Sequence, residues 1–534
     1  MFNRKENRQD PPALPEQLFE GVARGVPGKS PYEQTPPLSA FADPETIKND
    51  ERYHHNGRKF LLGTVGGQVI GVEDDTHILL CAGSRSGKGR SVIIPNLLHY
   101  QGSVLAIDPK GELANITARR RGEGNAGQYE GLGQKICILD PFGKTADWLE
   151  PYKKSFNPMS ILKRDSPTLV EDAGLIADAM VLPSGHDEHW DESAKNFIET
   201  LILHVATDEY YEGQRDLITV RRLLSVGAVA ETSDGKQYAG EQGLQADMLN
   251  NAIELRKTDE VLAAVLEGGI ADYFEKPDNE RGSVKSTARR HTKFLDFPAL
   301  QRVMRETEAD KSFDLKELKT AAAGMTIYLC LPTARLSSCN RWFRLLVNLA
   351  LDSLERNEQK PDIPVLFCLD EFPVLGHMKQ IEAAAGYMAG FGVKLLTVIQ
   401  DLSQLKHHYK DSWETFLGNA GIWQFFGNND LTTLEFIQKR VGQTALIIRN
   451  KSQTAHNQKM GGATGASWNV DIRDILTPEE ASRIFGRSDE QKRQLIIEGG
   501  KTPMILSRLN YDQHSYFEKK QKGQMQKIYD EWGH

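Results

Sequence analysis

Residues 82–89 read A-G-S-R-S-G-K-G, set between an apolar run, HILLCA (77–82), and a helix-like stretch, RSVIIPNLL (90–98). Glycines let successive backbone N–H groups turn toward one anion, and the following helix offers the positive end of its dipole. A lysine in this setting, Lys88, reaches the β- and γ-phosphates of a nucleotide. Gly83, Ser84, Arg85, Ser86, Gly87, Lys88, Gly89 and Arg90 are therefore expected to wrap the phosphates of ATP or GTP. Gly89 departs from the usual pattern, in which a hydroxyl at that position ligates Mg2+. Either water and an acidic residue carry more of the metal shell, or Ser91 substitutes in part from one turn along. Alone, the loop is also compatible with a glycine-rich turn that happens to hold a lysine.

Two further stretches supply what such a loop lacks. PVLFCLDE (364–371) is an apolar strand ending in paired carboxylates. An aspartate there, Asp370, suits the Mg2+ shell, and its neighbour Glu371 suits the general base that polarises water. VKLLTVIQ (393–400) ends in Gln400, whose amide can sense the γ-phosphate and orient the attacking water. Three strand ends thus carry complementary parts of one hydrolytic site, with ATP and Mg2+ as its ligands. An arginine from a neighbouring subunit commonly completes such a site, and Arg335, Arg341 and Arg344 are candidates.

The elements that must hold these residues can be read from the apolar runs. HILLCA, SVLAID (103–108), KICILD (135–140), MTIYLCL (325–331), VLFCLD (365–370), VKLLTVIQ and GIWQFFG (421–427) are short, turn-bounded and continuously apolar. Continuous apolarity means that both faces are covered, as in a parallel sheet flanked by helices, with ligands at the carboxyl edge. KFLLGTVGGQVIGV (59–72) predicts a hairpin. Between about 160 and 315 the pattern turns helical, as in TLVEDAGLIADAMV (168–181) and ESAKNFIETLILHVA (192–206). The expected fold is α/β, a mostly parallel sheet with an inserted all-α domain. The expected divisions are a disordered proline-rich arm (1–55), a first nucleotide-binding part (56–160), the all-α domain (161–318), a second nucleotide-binding part (319–512) and a tail (513–534).

Several motifs, in order, resemble those of the type IV coupling proteins, the TraG/TraD-type ATPases of conjugation and secretion. The GKG loop is joined by SVLAIDPKGEL (103–113), SFNPM (155–159), HWDESAKNFI (189–198), LDEFPVLG (369–376), TVIQDLSQL (397–405), NDLTTLEFIQKRVG (429–442), LTPEEASRI (476–484) and IIEGGKTPM (496–504). The resemblance makes Gly89 expected. It implies a RecA-like motor in a homo-hexameric ring that passes relaxase-bound single-stranded DNA, or protein, to type IV secretion machinery. It also implies that Asp108, Lys110 and Glu112 lie near the nucleotide or a subunit interface. A plain reading of D-P-K-G-E is a turn and a helix start. Most members begin with transmembrane helices, whereas this chain opens on a polar arm. The expectation is a cytoplasmic variant without an anchor, recruited to the inner membrane by a separate membrane protein that docks the arm.

Composition bounds the partners. A net charge of −8, from 65 basic and 73 acidic residues, argues against a broad DNA-coating surface but not against a local basic channel. Candidate clusters are Arg119-Arg120-Arg121, Arg289-Arg290-His291 with Lys293, and Lys519-Lys520 with Lys522; solvated helix faces explain such runs equally. His189 and Trp190 suit the helical domain's core better than base stacking. Cys81, Cys330 and Cys368 lie in strand-like runs and read as buried thiols. A double-stranded DNA translocase of the FtsK/HerA type, or a non-motor adaptor, would share much of this pattern.

Overall fold

The structure is a computed structural model that describes residues 39–73, 76–125, 129–182, 188–231, 235–305, 311–451 and 466–512. All seven apolar runs form strands of a single eleven-stranded sheet. Numbered along the chain, its strands are β1 (Phe60–Val65), β2 (Gln68–Val72), β3 (His77–Ala82), β4 (Val104–Asp108), β5 (Lys135–Leu139) and β6 (Met325–Cys330). They continue as β7 (Val365–Leu369), β8 (Val393–Ile399), β9 (Ala420–Phe426), β10 (Arg493–Glu498) and β11 (Met504–Ser507). Their order across the sheet is β2-β1-β11-β10-β9-β3-β8-β7-β4-β6-β5. From β9 to β5 every neighbouring pair is parallel, and from β9 outward to β2 every pair is antiparallel.

The parallel part explains its own sequence. In β3, Leu79 and Cys81 enter the core on one face while Ile78, Leu80 and Ala82 enter the core on the other. Helices cover both faces, so the strands are mostly apolar up to the carboxyl edge, and the polar residues inside them, such as Thr326 and Gln424, are buried in hydrogen bonds. The register brings those edges level: Cys330 pairs with Asp108, Leu369 with Ile107 and with Thr397, and Ile399 with Cys81. The residues that follow, Gly83, Asp370 and Gln400, therefore emerge side by side.

The segment between β5 and β6 is laid out as helices, including Leu169–Met180, Glu188–Thr207, Leu217–Val226, Gly240–Leu255, Glu260–Phe274 and Asp278–Thr292. A short hairpin, Ala228–Glu231 with Gln237–Ala239, interrupts the expected all-α segment. The buried apolar side chains of these helices belong to the same cluster as one face of the sheet.

The disordered arm expected through residue 55 is corrected over its last part. The helix Pro44–Asn49, capped by the Asp43 carboxylate, buries Ile47, and the Tyr53 hydroxyl donates to Glu498 at 2.8 Å. Proline and charge content suggests a loose chain, but the buried Ile47 and Tyr53, with the Ala42 amide donating to the Pro503 carbonyl at 2.9 Å, seat it on the antiparallel side of the sheet. Residues 1–38 and the tail 513–534, with Lys519, Lys520 and Lys522, lie outside the described residues. Among the described residues no helix is long and apolar enough to cross a membrane. All five cysteines are buried free thiols.

Candidate nucleotide site

The loop after β3 is built from close backbone approaches. A Cβ on Gly83 would sit 1.9 Å from the Gly427 carbonyl oxygen, so only glycine fits beside the end of β9. Gly87 adopts φ +92° and Arg85 φ +55°, which turns the chain back on itself. The Ser86 hydroxyl donates to the Gly83 carbonyl at 2.6 Å and closes the turn from inside. Ser84 and Arg85 are exposed, and Arg90 pairs with Asp512 at 2.6 Å. A Cβ on Gly87 or on Gly89 would meet nothing within 4 Å, so the space above both is open.

The helix that follows begins as a π turn, Gly89–Ile93, before the α segment Ile94–His99. Pro95 has no N–H to give, and the Arg90 carbonyl accepts instead from the Tyr511 amide at 3.2 Å. Ser91 is buried, and its hydroxyl donates to the Gly87 carbonyl at 2.8 Å. It is thus turned into the loop's scaffold rather than toward a metal shell, so the two accounts of the Gly89 gap reduce to water and carboxylate.

Lys88 meets the carboxylate pair directly. Its Nζ lies 3.0 Å from Glu371 Oε1 and 3.2 Å from Asp370 Oδ1. On the far side of Glu371, the Gln400 Nε2 donates to Oε2 at 3.3 Å. The four residues form one continuous polar chain across the ends of β3, β7 and β8. Burial alone would lower the Lys88 pKa; Asp370 and Glu371 outweigh it and hold the ammonium above its usual range. Asp370 is raised, chiefly by burial and also by Glu371, against the pull of Lys88. Glu371 itself sits at φ +61°, a left-handed conformation that few residues other than glycine adopt and that is concentrated at functional sites.

Asp108 is wholly buried at the end of β4, where it accepts from the Ala114 amide at 2.9 Å at the start of the helix Glu112–Arg121. Burial pushes its pKa up to about 7, opposed by the helix amides. Lys110 and Glu112 are exposed on that turn. Among the arginines, Arg341 donates to the Met180 carbonyl and to His291 Nδ1, and Arg344 donates to three carbonyls; both point inward. Arg335 is exposed.

Two basic clusters are likewise committed to the fold. Arg121 is fully buried, donating to the Leu97, Tyr100 and Gly102 carbonyls, while Arg120 donates to Leu98 and Arg119 lies 4.1 Å over the Trp148 ring. Arg289 donates to Ser225, Arg290 pairs with Asp191, and His291 is buried against Asp191, whereas Lys293 is exposed.

Two supporting residues escaped the sequence reading. Arg508 Nη1 donates to the Ser86 carbonyl at 2.8 Å and bears on the loop from beneath; nothing in its sequence context signals this. Asn428 Nδ2 donates to the Gln400 carbonyl at 3.1 Å, fixing the backbone at Gln400. The apolar run ending at Gly427 pointed to the edge but not to that side chain.

The chain matches the family model described as Type IV secretory system Conjugative DNA transfer over residues 40–530. A conjugal transfer protein TraG of Escherichia coli is 25% identical over 423 residues, which cover 77% of this chain and 62% of TraG. A type IV secretion system-coupling protein VirD4 of Bartonella quintana is 25% identical over 450 residues, covering 82% and 63%. The chain thus spans less than two thirds of the length of these relatives. Among solved structures, an unbound form of the bacterial conjugative coupling protein TrwBdeltaN70 shares the fold, with a TM-score of 0.63 at 15% identity, covering 92% of this chain and 97% of that one. The plasmid coupling protein TrwB in complex with ADP and Mg2+ aligns with a TM-score of 0.60 at 14% identity, covering 91% and 97%.

Proposed function

The chain belongs to the type IV secretory system conjugative DNA transfer family, and from that premise we propose that it is an ATP-hydrolysing coupling protein. It recruits relaxase-bound single-stranded DNA, or a protein substrate, and delivers it to a type IV secretion channel. The observation that carries the reading is the junction of Lys88, Glu371 and Gln400, three residues far apart in sequence, within 3.3 Å steps at one sheet edge.

The residues present fit a nucleotide and its metal. Open space lies above Gly87 and Gly89, and beside it a half-buried carboxylate pair supplies hard oxygen ligands. Asp370 would hold Mg2+, and the ion when bound supplies charge neutralisation across the β- and γ-phosphates. Lys88 binds the same phosphates, exchanging its carboxylate partners for phosphate oxygens. Glu371, released from Lys88, accepts the proton of the attacking water, and Gln400 orients that water from the other side. Asn428 holds Gln400 in place through its carbonyl. In the ring, an arginine of a neighbouring subunit faces the γ-phosphate, and Arg335 is the exposed one of the three candidates. Delivery to a membrane channel calls for the hexamer to stand at the membrane's cytoplasmic face, brought there by a membrane partner.

The test joins chemistry to cargo. ATP turnover of the full chain is measured with and without single-stranded and duplex DNA, and DNA transfer is scored in donor cells carrying Glu371→Gln. Stimulation by single strands and loss of transfer are expected. Preference for duplex with movement along it would favour a translocase, and normal transfer by Glu371→Gln would favour an adaptor.

A further inference from the structure

The Arg344 side chain is nearly fully buried and bonds carbonyls from two separate parts of the chain. Its Nε donates to the Ala179 carbonyl at 3.1 Å, in the last turn of the helix Leu169–Met180. Its Nη1 donates to the Leu375 carbonyl at 2.8 Å and the His377 carbonyl at 2.6 Å, on the turn that begins at Glu371. A cation stripped of water is expensive, and these carbonyl dipoles are what it receives in exchange. Burial lowers its pKa to about 10, so the guanidinium stays charged at neutral pH.

Both arms leaving the hydrolytic residues end at this place. From Glu371 the chain runs into Phe372, which is buried and stacks on Tyr409 at 5.8 Å and 4°. From Gln400 it runs through the helix Leu402–Tyr409, whose last residue is that same tyrosine. Beside them lies a cavity of about 680 Å3 between the inserted helices and the motor. Asp178, Glu192 and Lys195 line its helical wall, and His377, Lys379 and Lys410 line the motor wall. The helix Leu169–Met180 packs on the helix Leu336–Arg356 that carries Arg344, and Gln380 Nε2 donates to Asp178 at 3.2 Å, while the cavity beside these contacts leaves room for a small sliding motion.

We propose that Arg344 is a positioning residue that couples the turn bearing Glu371 to the inserted helices, so that the two move together when nucleotide binds. The inference rests on the nucleotide-hydrolysing reading. A strained Glu371 that must part from Lys88 has to shift its turn, and Arg344 hands that shift to the Ala179 end of the helix Leu169–Met180. Residues 176–182 are then the first segment outside the motor to respond.

Hydrogen exchange of the full chain with and without Mg2+ and AMP-PNP tests this, together with steady-state kinetics of Arg344→Met and Arg344→Lys. In the unmodified chain, nucleotide is expected to change exchange in both 371–378 and 176–182. In Arg344→Met the change persists in 371–378 and vanishes from 176–182. Its kcat falls about tenfold to a hundredfold, while KM and AMP-PNP affinity hold within about threefold, because misplacement rather than contact is lost. Arg344→Lys keeps the cation and recovers part of both effects; should Arg344→Met fail to fold, the lysine variant decides by the same exchange readout. Joint response of the two segments in folded Arg344→Met, or an unchanged kcat, overturns the proposal. Nucleotide binding and turnover in the unmodified chain with 176–182 silent overturns it alone, whereas absence of nucleotide binding overturns the underlying reading as well.

Discussion

Replacing Glu371 by glutamine separates two jobs that the proposed function gives to one side chain. Glutamine has the same length and no Cβ branch, so the left-handed backbone at φ +61° gains no new cost. What changes is charge. Lys88 loses one of two carboxylate partners, at 3.0 Å, and retains Asp370 at 3.2 Å. A hydrogen bond to a charged group contributes about 1.5–3 kcal/mol net, and this one is partly solvated, so about 1.5 kcal/mol is the reasonable share. Releasing Lys88 to a phosphate therefore becomes about tenfold easier, since 1.4 kcal/mol is a factor of ten. Catalysis moves the other way, because an amide cannot accept the water's proton; loss of a general base costs about 10²–10⁴ in rate. Fluorescent-ATP titration and phosphate-release kinetics on the full chain read both effects. The expected result is binding equal or up to about tenfold tighter, with turnover reduced at least about a hundredfold. Turnover within about threefold of the unmodified protein would refute the assignment of Glu371 as base.

Other substitutions probe the loop and its surroundings. Gly83→Ala drives a Cβ to 1.9 Å from the Gly427 carbonyl and should cost about 1–3 kcal/mol, read as a lowered melting temperature. Gly89→Ser meets nothing within 4 Å and restores a hydroxyl beside Lys88, so it should fold normally and reach half-maximal ATPase activity at lower Mg2+ concentration. Asp108 titrates near 7 in the folded chain against about 3.9 unfolded, so between those values only the native state holds the proton. Its contribution is then present below about pH 4 and lost as pH rises to 7, and the melting temperature of Asp108→Asn relative to the unmodified chain should climb from pH 5 to pH 8; a gap that shrinks over that range contradicts the burial argument.

The fold was most legible where both faces of a strand are covered. ILLCA and VLFCL have no polar position until the carboxyl edge of the sheet, which marks them as strands and points to their ends as the site. Asp370, Glu371 and Gln400 directly follow such edges and Lys88 stands in the loop after one, and the structure does bring them together. The antiparallel strands were harder. MILS in β11 has four residues, and β10, R-Q-L-I-I-E, carries Gln494, which is buried by bonding the Leu62 carbonyl rather than by being apolar. The order of the arm's last part is not legible in residue content, which cannot show that Ile47 and Tyr53 have a surface to meet. Side-chain commitments were illegible for a similar reason: that Arg121 and Arg344 spend their charge on buried carbonyls, or that the Ser91 hydroxyl bonds backward to Gly87, depends on neighbours brought in by the fold. Family motifs supplied what periodicity could not, namely the reason to expect glycine at position 89.

The central claim is that the loop after β3 grips a triphosphate through Lys88 while Glu371 waits within reach. Isothermal titration of the full chain and of Lys88→Ala with ATP and Mg2+ tests it most directly. Saturable binding by the unmodified chain that Lys88→Ala weakens at least about tenfold is the predicted result. Equal affinity in the two proteins would mean that the phosphates lie elsewhere, and the account of Glu371 and Gln400 would fall with it.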